Sequence, residues 1–235
     1  MVTSVCGRVI KVIPRTYNVK SVRVAIDGPV IYKAGQFLRV KLNNDERLQR
    51  YLSISSSPTE GGYLEFTKKM TGSDFSNALS LLKPKDIVSL EYPYGVFTIE
   101  RAAEKIAFIS GGIGITPIRS ICRFAVDKRL KLNIALLYAN NSVRDIAFRE
   151  DFDQMQEEYR GLRVTHVLCE KEMEFNCVVG RINAGIIKKE VPDYSGRSFF
   201  LCGPPSMVEA MKGLLINELG IVPDKIITEN FQGYQ

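Results

Sequence analysis

The sequence predicts an all-β barrel or sandwich followed by a doubly wound α/β domain, on three observations. Up to about residue 100 short β-rich runs recur between turn signals, and from residue 104 the rhythm becomes strand then helix, repeated. The third is "IAFISGGIGITPIRS" (106–120): an apolar run, a cluster of glycines, then Thr-Pro. A strand, a tight turn and a helix N-terminus in that order present backbone N–H groups to a phosphate. The predicted domains are 1–100 and 104–235.

In chain order, the strand signals of the first domain are "GRVIKVIPR", "VKSVRVAI", "FLRVKL", "RYLSISSSP", "YLEFTKKM" and "IVSLEYPYG", with turn signals at "DGP", "NNDE" and "EGG". One helix interrupts them at "SDFSNALSLL", with Ser73 or Asp74 placed to cap it. In the second domain the strands are "KIAFIS", "LNIALLYA", "LRVTHVLC", "SFFLCG" and "KIITENF". The first four are near-continuous apolar runs of the kind buried on both faces of a parallel sheet, and each is followed by a helix. The clearest helix is "SMVEAMKGLLINELG". Met207, Ala210, Met211, Leu214 and Leu215 share one face, Ser206 and Glu209 form a capping box, and Gly220 closes the end.

The chain has 235 residues, 45% of them apolar and 25% charged, enough for two modest domains. It contains no run of about 18 apolar residues, and "MVTSVCGRV" lacks the apolar core of a signal peptide, so a cytoplasmic protein with no membrane insertion is expected. The five cysteines, at 6, 122, 169, 177 and 202, fit neither a disulfide framework nor a metal ligand set, so no metal is expected. A net charge of +6 suits anionic cofactors or an acidic partner. No run of sequence concentrates it and no aromatics interleave with it, which argues against nucleic acid.

Three stretches carry the chemistry. In "SGGIGITP" a dehydrogenase would show G-x-G-x-x-G and an acid at the end of the second strand. Here Gly112 and Gly114 are followed by Pro117, and the second strand ends in "YANN". Thr116 as cap and Pro117 as first helical residue still leave the helix N-terminus open to an anion. In "FFLCGPPSMVEAM" two prolines fix the backbone after Gly203, which lets a ligand lie flat against the strand end; Cys202 reads either as a buried free cysteine or, with G-P-P beside it, as a residue at the mouth of the crevice. In "QRYLSISSSP" an arginine precedes serines along a strand, an arrangement that suits a diphosphate, although taken alone the stretch reads as an exposed strand with one arginine and some serines. His166, inside "RVTHVLC", reads as a packed strand residue.

Together these stretches resemble the ferredoxin-NADP reductase family of flavoproteins, whose signatures run R-x-Y-S, G-G-x-x-S, P-x-G-x-F, G-G-x-G-x-T-P, C-G-P-P-x-M and a C-terminal E-x-F. This chain has, in the same order, "RYLS" (50–53), "GSDFS" (72–76), "PYGVF" (93–97), "GGIGITP" (111–117), "CGPPSM" (202–207) and "ENF" (229–231), together with "AGQF" at 34–37. The resemblance spans nearly the whole chain. It implies a six-stranded antiparallel β-barrel that carries flavin, followed by a five-stranded parallel sheet that binds NAD(P).

Carried over residue by residue, the resemblance implies that Arg50 holds a flavin phosphate and that Ser53 sits near flavin N5, where hydride arrives. Leu52, Ser53, Ile54 and Ser55 would line the ring and ribityl chain. Lys68 would be a basic residue of the same site, and Gly72, Ser73 and Ser76 would set a second helix N-terminus on the flavin phosphates. The nucleotide pyrophosphate would lie over Gly111, Gly112, Gly114, Thr116 and Pro117. Cys202, with Gly203, Pro204 and Met207 of its motif, would flank the nicotinamide. Glu229 would join the catalytic crevice, and Phe231 would cover the flavin until nicotinamide displaces it. Two residues depart from the pattern. Leu52 stands where the family stacks an aromatic on the flavin, with Tyr51 one position earlier on the other face of the strand, and Ser73 replaces the second glycine of G-G-x-x-S.

The activity implied is hydride transfer from NAD(P)H to FAD, in preference to FMN, followed by electron delivery to a separate acceptor protein, an acidic ferredoxin or an oxygenase or hydrogenase component. The chain ends at "QGYQ" without the iron–sulfur segment of fused variants, which is why a separate acceptor is expected. Arg144, after the second strand, could meet the 2′-phosphate of NADPH or pair with Asp145. Two other readings are a reductase of diffusible flavin and a non-catalytic flavin- or nucleotide-binding subunit.

Overall fold

Six strands form the first sheet because alternating apolar residues need a common interior. They are β1 (Thr3–Thr16), β2 (Val19–Ala25), β3 (Phe37–Lys41), β4 (Gln49–Ser53), β5 (Leu64–Lys69) and β6 (Ile87–Tyr94), ordered β4-β3-β6-β1-β2-β5 and antiparallel throughout. The register of β1 against β2 slips between Val9 and Lys11 and again between Pro14 and Thr16, and such bulges bend a strand. The sheet closes where Ile54, just past β4, bridges Phe66 on β5. Val22, Leu38, Val40, Ile54, Phe66 and Leu90 fill the interior at 0% exposure. Helix α1 (Asp74–Ser80) covers one end, and Ser73, not Asp74, caps it by accepting the Ser76 N–H at 3.3 Å.

This computed structural model describes residues 2–101 and 104–230. In the second sheet β7 (Lys105–Gly111), β8 (Asn133–Asn140), β9 (Leu162–Leu168), β10 (Val178–Val179), β11 (Ser198–Gly203) and β12 (Ile226–Asn230) lie in the order β10-β9-β8-β7-β11-β12, all parallel. The sheet thus has six strands where five were expected. A two-residue pairing such as β10 is too short to show any periodicity. Helices α2 (Ile115–Asp127), α3 (Arg149–Glu158), α4 (Ala184–Glu190) and α5 (Pro205–Asn217) follow strands, as the rhythm predicts.

Two helix starts differ from expectation. A 3₁₀ turn over Gly112–Gly114 leads into α2, so Thr116 and Pro117 are its second and third residues, not its cap and first residue. Gly112, at φ +51, lets the chain begin turning early. Helix α5 starts at Pro205, whose fixed φ is preorganised for a first helical position. No side-chain cap bond forms there, and Ser206 lies inside the helix. Its buried face is Val208, Met211 and Leu215, with Met207 and Leu214 partly buried beside them and Ala210 exposed. Gly220, at φ +66, reverses the chain beyond it.

Contacts group the chain into two units, Met1–Ile99 with Thr116–Asp127, and Glu100–Ile115 with Lys128–Gln235. Most of α2 therefore belongs with the barrel. Among the described residues no helix is long and apolar enough to cross a membrane.

Candidate active site

In the first unit the site is built on β4 and the arch after it. Leu52 pairs with Leu38 and Arg50 with Val40, so Arg50 and Leu52 share the face that enters the barrel core. Leu52 is buried in that core, while Arg50, near the strand's start, stays exposed with its guanidinium 5.7 Å from the Phe75 ring. Tyr51 lies on the opposite face, edge-on to Phe37 at 5.7 Å and to Tyr94 at 5.6 Å. The structure so separates Tyr51 from Arg50 and Leu52.

Beyond them, Ile54 is core and Ser55 Oγ is engaged with Glu65, donating to Oε1 at 3.0 Å. Ser53 Oγ, in contrast, is buried without a hydrogen-bond partner. A hydroxyl in that condition awaits a ligand or a water. Lys68 is also buried, and burial, aided by the nearby charge of Arg50, pulls its ammonium down to about 8. Two cations this close favour an anion between them. Gly72, at φ +76, faces open space, and Ser73 and Ser76 stand with Thr71 in one hydroxyl cluster with contacts of 3.2 to 3.4 Å.

The second unit places its site at the carboxyl ends of β7, β11 and β12, where the strand order reverses and such folds bind ligands. Ser110, Cys202 and Glu229 are register partners across these three strands. Ser110 Oγ and Glu229 Oε2 are buried without partners. Burial lifts the Glu229 carboxyl to about 8, so it is a neutral acid at pH 7. Burial, with Glu229 adding to it, pushes the Cys202 thiol up as well; Cys202 is fully buried, not at a mouth, and its sulfur stays protonated.

The glycines of this site are explained by close approach. A Cβ on Gly114 would stand 2.3 Å from the Cys202 carbonyl oxygen, one on Gly111 2.3 Å from Met207 Sδ, and one on Gly203 3.2 Å from the Gly111 nitrogen. The two loops pack backbone on backbone. Pro204 is exposed at the second of them, and Gly112 faces open space. Thr116 is buried and sits with Pro117 in the first turn of α2. Arg144 lies exposed in a 3₁₀ turn closed by Ser142, whose N–H and hydroxyl donate to Asp145 at 3.1 and 2.7 Å. His166 is packed between the Tyr138 and Phe175 rings, and burial lowers its pKa. Phe231 lies outside the described residues.

Sequence reasoning missed Ser110, whose only signal is its place before the glycines, and Tyr138, whose hydroxyl donates to Gly112 O at 3.2 Å. It also missed Arg119, whose signal is a charge within an apolar helix face.

With this geometry in view, the comparisons are specific. The family descriptions "Oxidoreductase FAD-binding domain" and "Oxidoreductase NAD-binding domain" match residues 8–99 and 108–213. The chain belongs to the ferredoxin-NADP reductase-like family of flavoproteins. Its cofactors are FAD and a nicotinamide dinucleotide. It is 30% identical over 217 residues to the glycine betaine monooxygenase reductase subunit of Pseudomonas aeruginosa, covering 88% of this chain and 59% of that protein. It is also 30% identical over 205 residues to one subunit of the Na⁺-translocating NADH-quinone reductase of that species, covering 80% and 50%. The chain thus spans between half and three-fifths of these relatives. In fold it is similar to a ferredoxin NADP⁺ reductase from Neisseria gonorrhoeae solved with FAD and NADP, with a TM-score of 0.82 at 18% identity, covering 97% and 98% of the two chains.

The residues of this ferredoxin-NADP reductase-like chain fit both groups. The orphaned Ser53 hydroxyl and the Arg50–Lys68 pair suit a flavin and its phosphates, and the orphaned Ser110 and Glu229 oxygens beside a glycine cradle suit a nicotinamide nucleotide.

Proposed function

We propose that this chain oxidises NAD(P)H, holds FAD as the hydride acceptor, and passes the electrons to a separate acceptor protein. The observation that carries this is the row Ser110, Cys202 and Glu229, with two buried oxygens lacking partners at the sheet's switch point. Bound FAD supplies two-electron acceptance and one-electron release. Ser110 and the neutral carboxyl of Glu229 hold and orient the nicotinamide by hydrogen bonds, and the protonated Cys202 supplies an uncharged wall. Ser53 offers its hydroxyl to the flavin, while Arg50 and Lys68 hold its phosphates. No general base is needed, because hydride transfer moves no proton from the substrate carbon.

For the acceptor, the relatives named as the reductase subunit of a monooxygenase and as a subunit of a quinone reductase support a partner protein. An acidic one is favoured by the division of charge. Residues 1–99 hold 14 Lys and Arg against 8 Asp and Glu, and residues 100–235 hold 18 of each. Although no short run concentrates it, the whole excess of +6 is thus on the flavin side of the sequence. One feature favours a second reading, reduction of diffusible flavin: Leu52, buried in the barrel, offers no aromatic face for stacking.

The test is the visible spectrum of purified protein, followed anaerobically as NADH and then NADPH is added. A flavin band that bleaches is expected, and the faster nucleotide is the donor. A colourless protein that speeds reduction of added flavin would establish the second reading. A bound flavin that neither nucleotide reduces would leave only a binding subunit.

A further inference from the structure

Strand β4 ends at Ser53, and the arch Ser53–Glu60 that follows is joined to β5 by the Ile54 bridge and by the Ser55 and Ser56 N–H groups, both of which donate to Glu65 O. Its backbone carbonyls need partners from elsewhere. Helix α2 supplies them. Arg119, 4% exposed, donates from Nη1 to Ser55 O at 3.1 Å and grips Glu60 with both terminal nitrogens, Nη2 to Oε1 at 3.0 Å. Ser120 Oγ donates to Ser56 O at 2.5 Å. Glu60 in turn accepts the Ser57 N–H at 2.7 Å. From the other side Glu65, held by Arg15 and Arg23, takes the Ser55 hydroxyl, and the Glu65 N–H donates to Ser56 Oγ. At the far end of α2, Thr59 donates to Asp127. The arch is thus clamped on both sides while its first hydroxyl, on Ser53, has no partner.

Gly35 shows how closely the helix sits. At φ +96, a Cβ there would meet Ile121 Cδ1 at 2.9 Å. The chain enters α2 directly from the Gly111–Gly114 loop.

We infer that Arg119 is a positioning residue: through Ser55 and Glu60 it ties the arch that presents Ser53 to the helix that begins at the dinucleotide loop, so that nucleotide binding sets the placement of Ser53. This rests on the proposed function for its catalytic consequence, though not for the coupling itself. A bidentate guanidinium is what the geometry uses, since it reaches a carboxylate and a carbonyl at once. A lysine can keep the charge but cannot span both.

The experiment uses the flavin-bound protein and R119K. Hydrogen exchange of peptides covering residues 53–60 is measured with and without NAD⁺ or NADP⁺, beside anaerobic reduction by NADH and NADPH. Wild type is expected to gain protection at 53–57 with one nucleotide. R119K should lose that gain and reduce its flavin about ten- to a hundredfold more slowly, since misplacement on the order of 1 Å suffices. Flavin content should be kept, and KM held within about threefold. Wild-type protection and rate in R119K would overturn the inference, as would a loss of rate in proportion to lost flavin. Should R119K not fold, S120A removes only the Ser56 contact, and it too must reduce protection and rate or the inference fails. If neither nucleotide reduces the wild type but R119K still abolishes protection, the proposed function falls and the coupling stands.

Discussion

Glu229 is where burial alone sets a chemical state. Its carboxyl is raised from 4.5 to about 8, so between those values the folded protein holds a proton that the unfolded chain has released. Stability is therefore unaffected by this group below about pH 4.5 and falls as pH rises to about 8, each unit of the shift being worth about 1.4 kcal/mol. E229Q, which is neutral at every pH, should flatten that decline, as urea midpoints at pH 5 and pH 8.5 for both proteins would reveal. Reduction by nucleotide should likewise fall above about pH 8 in wild type and not in E229Q. An equal pH dependence in both proteins would refute the assignment. The residue itself was legible from the "ENF" motif, but its neutrality was not. Protonation depends on the strands that bury the carboxyl, and those are brought together from distant parts of the chain.

The elements were legible where periodicity or punctuation is strong. Apolar runs marked β7, β8, β9 and β11, and alternation marked the barrel strands, because burial on two faces or one leaves that imprint directly. The starts of α2 and α5 were not legible, since a glycine at positive φ and a proline at the first helical position move a start without changing the apolar pattern. The glycines of the loop between β7 and α2 were visible, but not which of them answers to sterics and which to φ. Gly114 and Gly112 separate the two causes. G114A drives a methyl into the Cys202 carbonyl, which a packed backbone cannot yield to, and should cost about 2 kcal/mol or more with a large loss of nucleotide affinity. G112A meets open space and should cost about 1 kcal/mol, the strain of its left-handed backbone. Thermal melts of the two variants decide it, and a milder effect at Gly114 than at Gly112 would contradict the packing of these loops.

At the scale of the whole molecule, charge and contact divide the chain differently. Contacts join α2 to the barrel through Arg119 and Glu60, which lie 59 residues apart, a link no local pattern could disclose. Charge, by contrast, divides by simple counting: the excess of +6 belongs to residues 1–99, and the remainder is neutral. If an acidic protein takes the electrons, its approach is steered by that excess and screened by salt, because the Debye length shrinks from about 10 Å at 0.1 M to about 3 Å at 1 M. Hydride transfer from nucleotide to flavin involves no such encounter with the acceptor. Raising salt over that range at saturating NAD(P)H should therefore slow reduction of an acidic carrier protein by about tenfold or more. The anaerobic rate of flavin bleaching measured in the same buffers should change far less. A carrier rate indifferent to salt would exclude an acidic partner steered by this charge, and an equal fall in both rates would mean that salt acts on nucleotide binding instead.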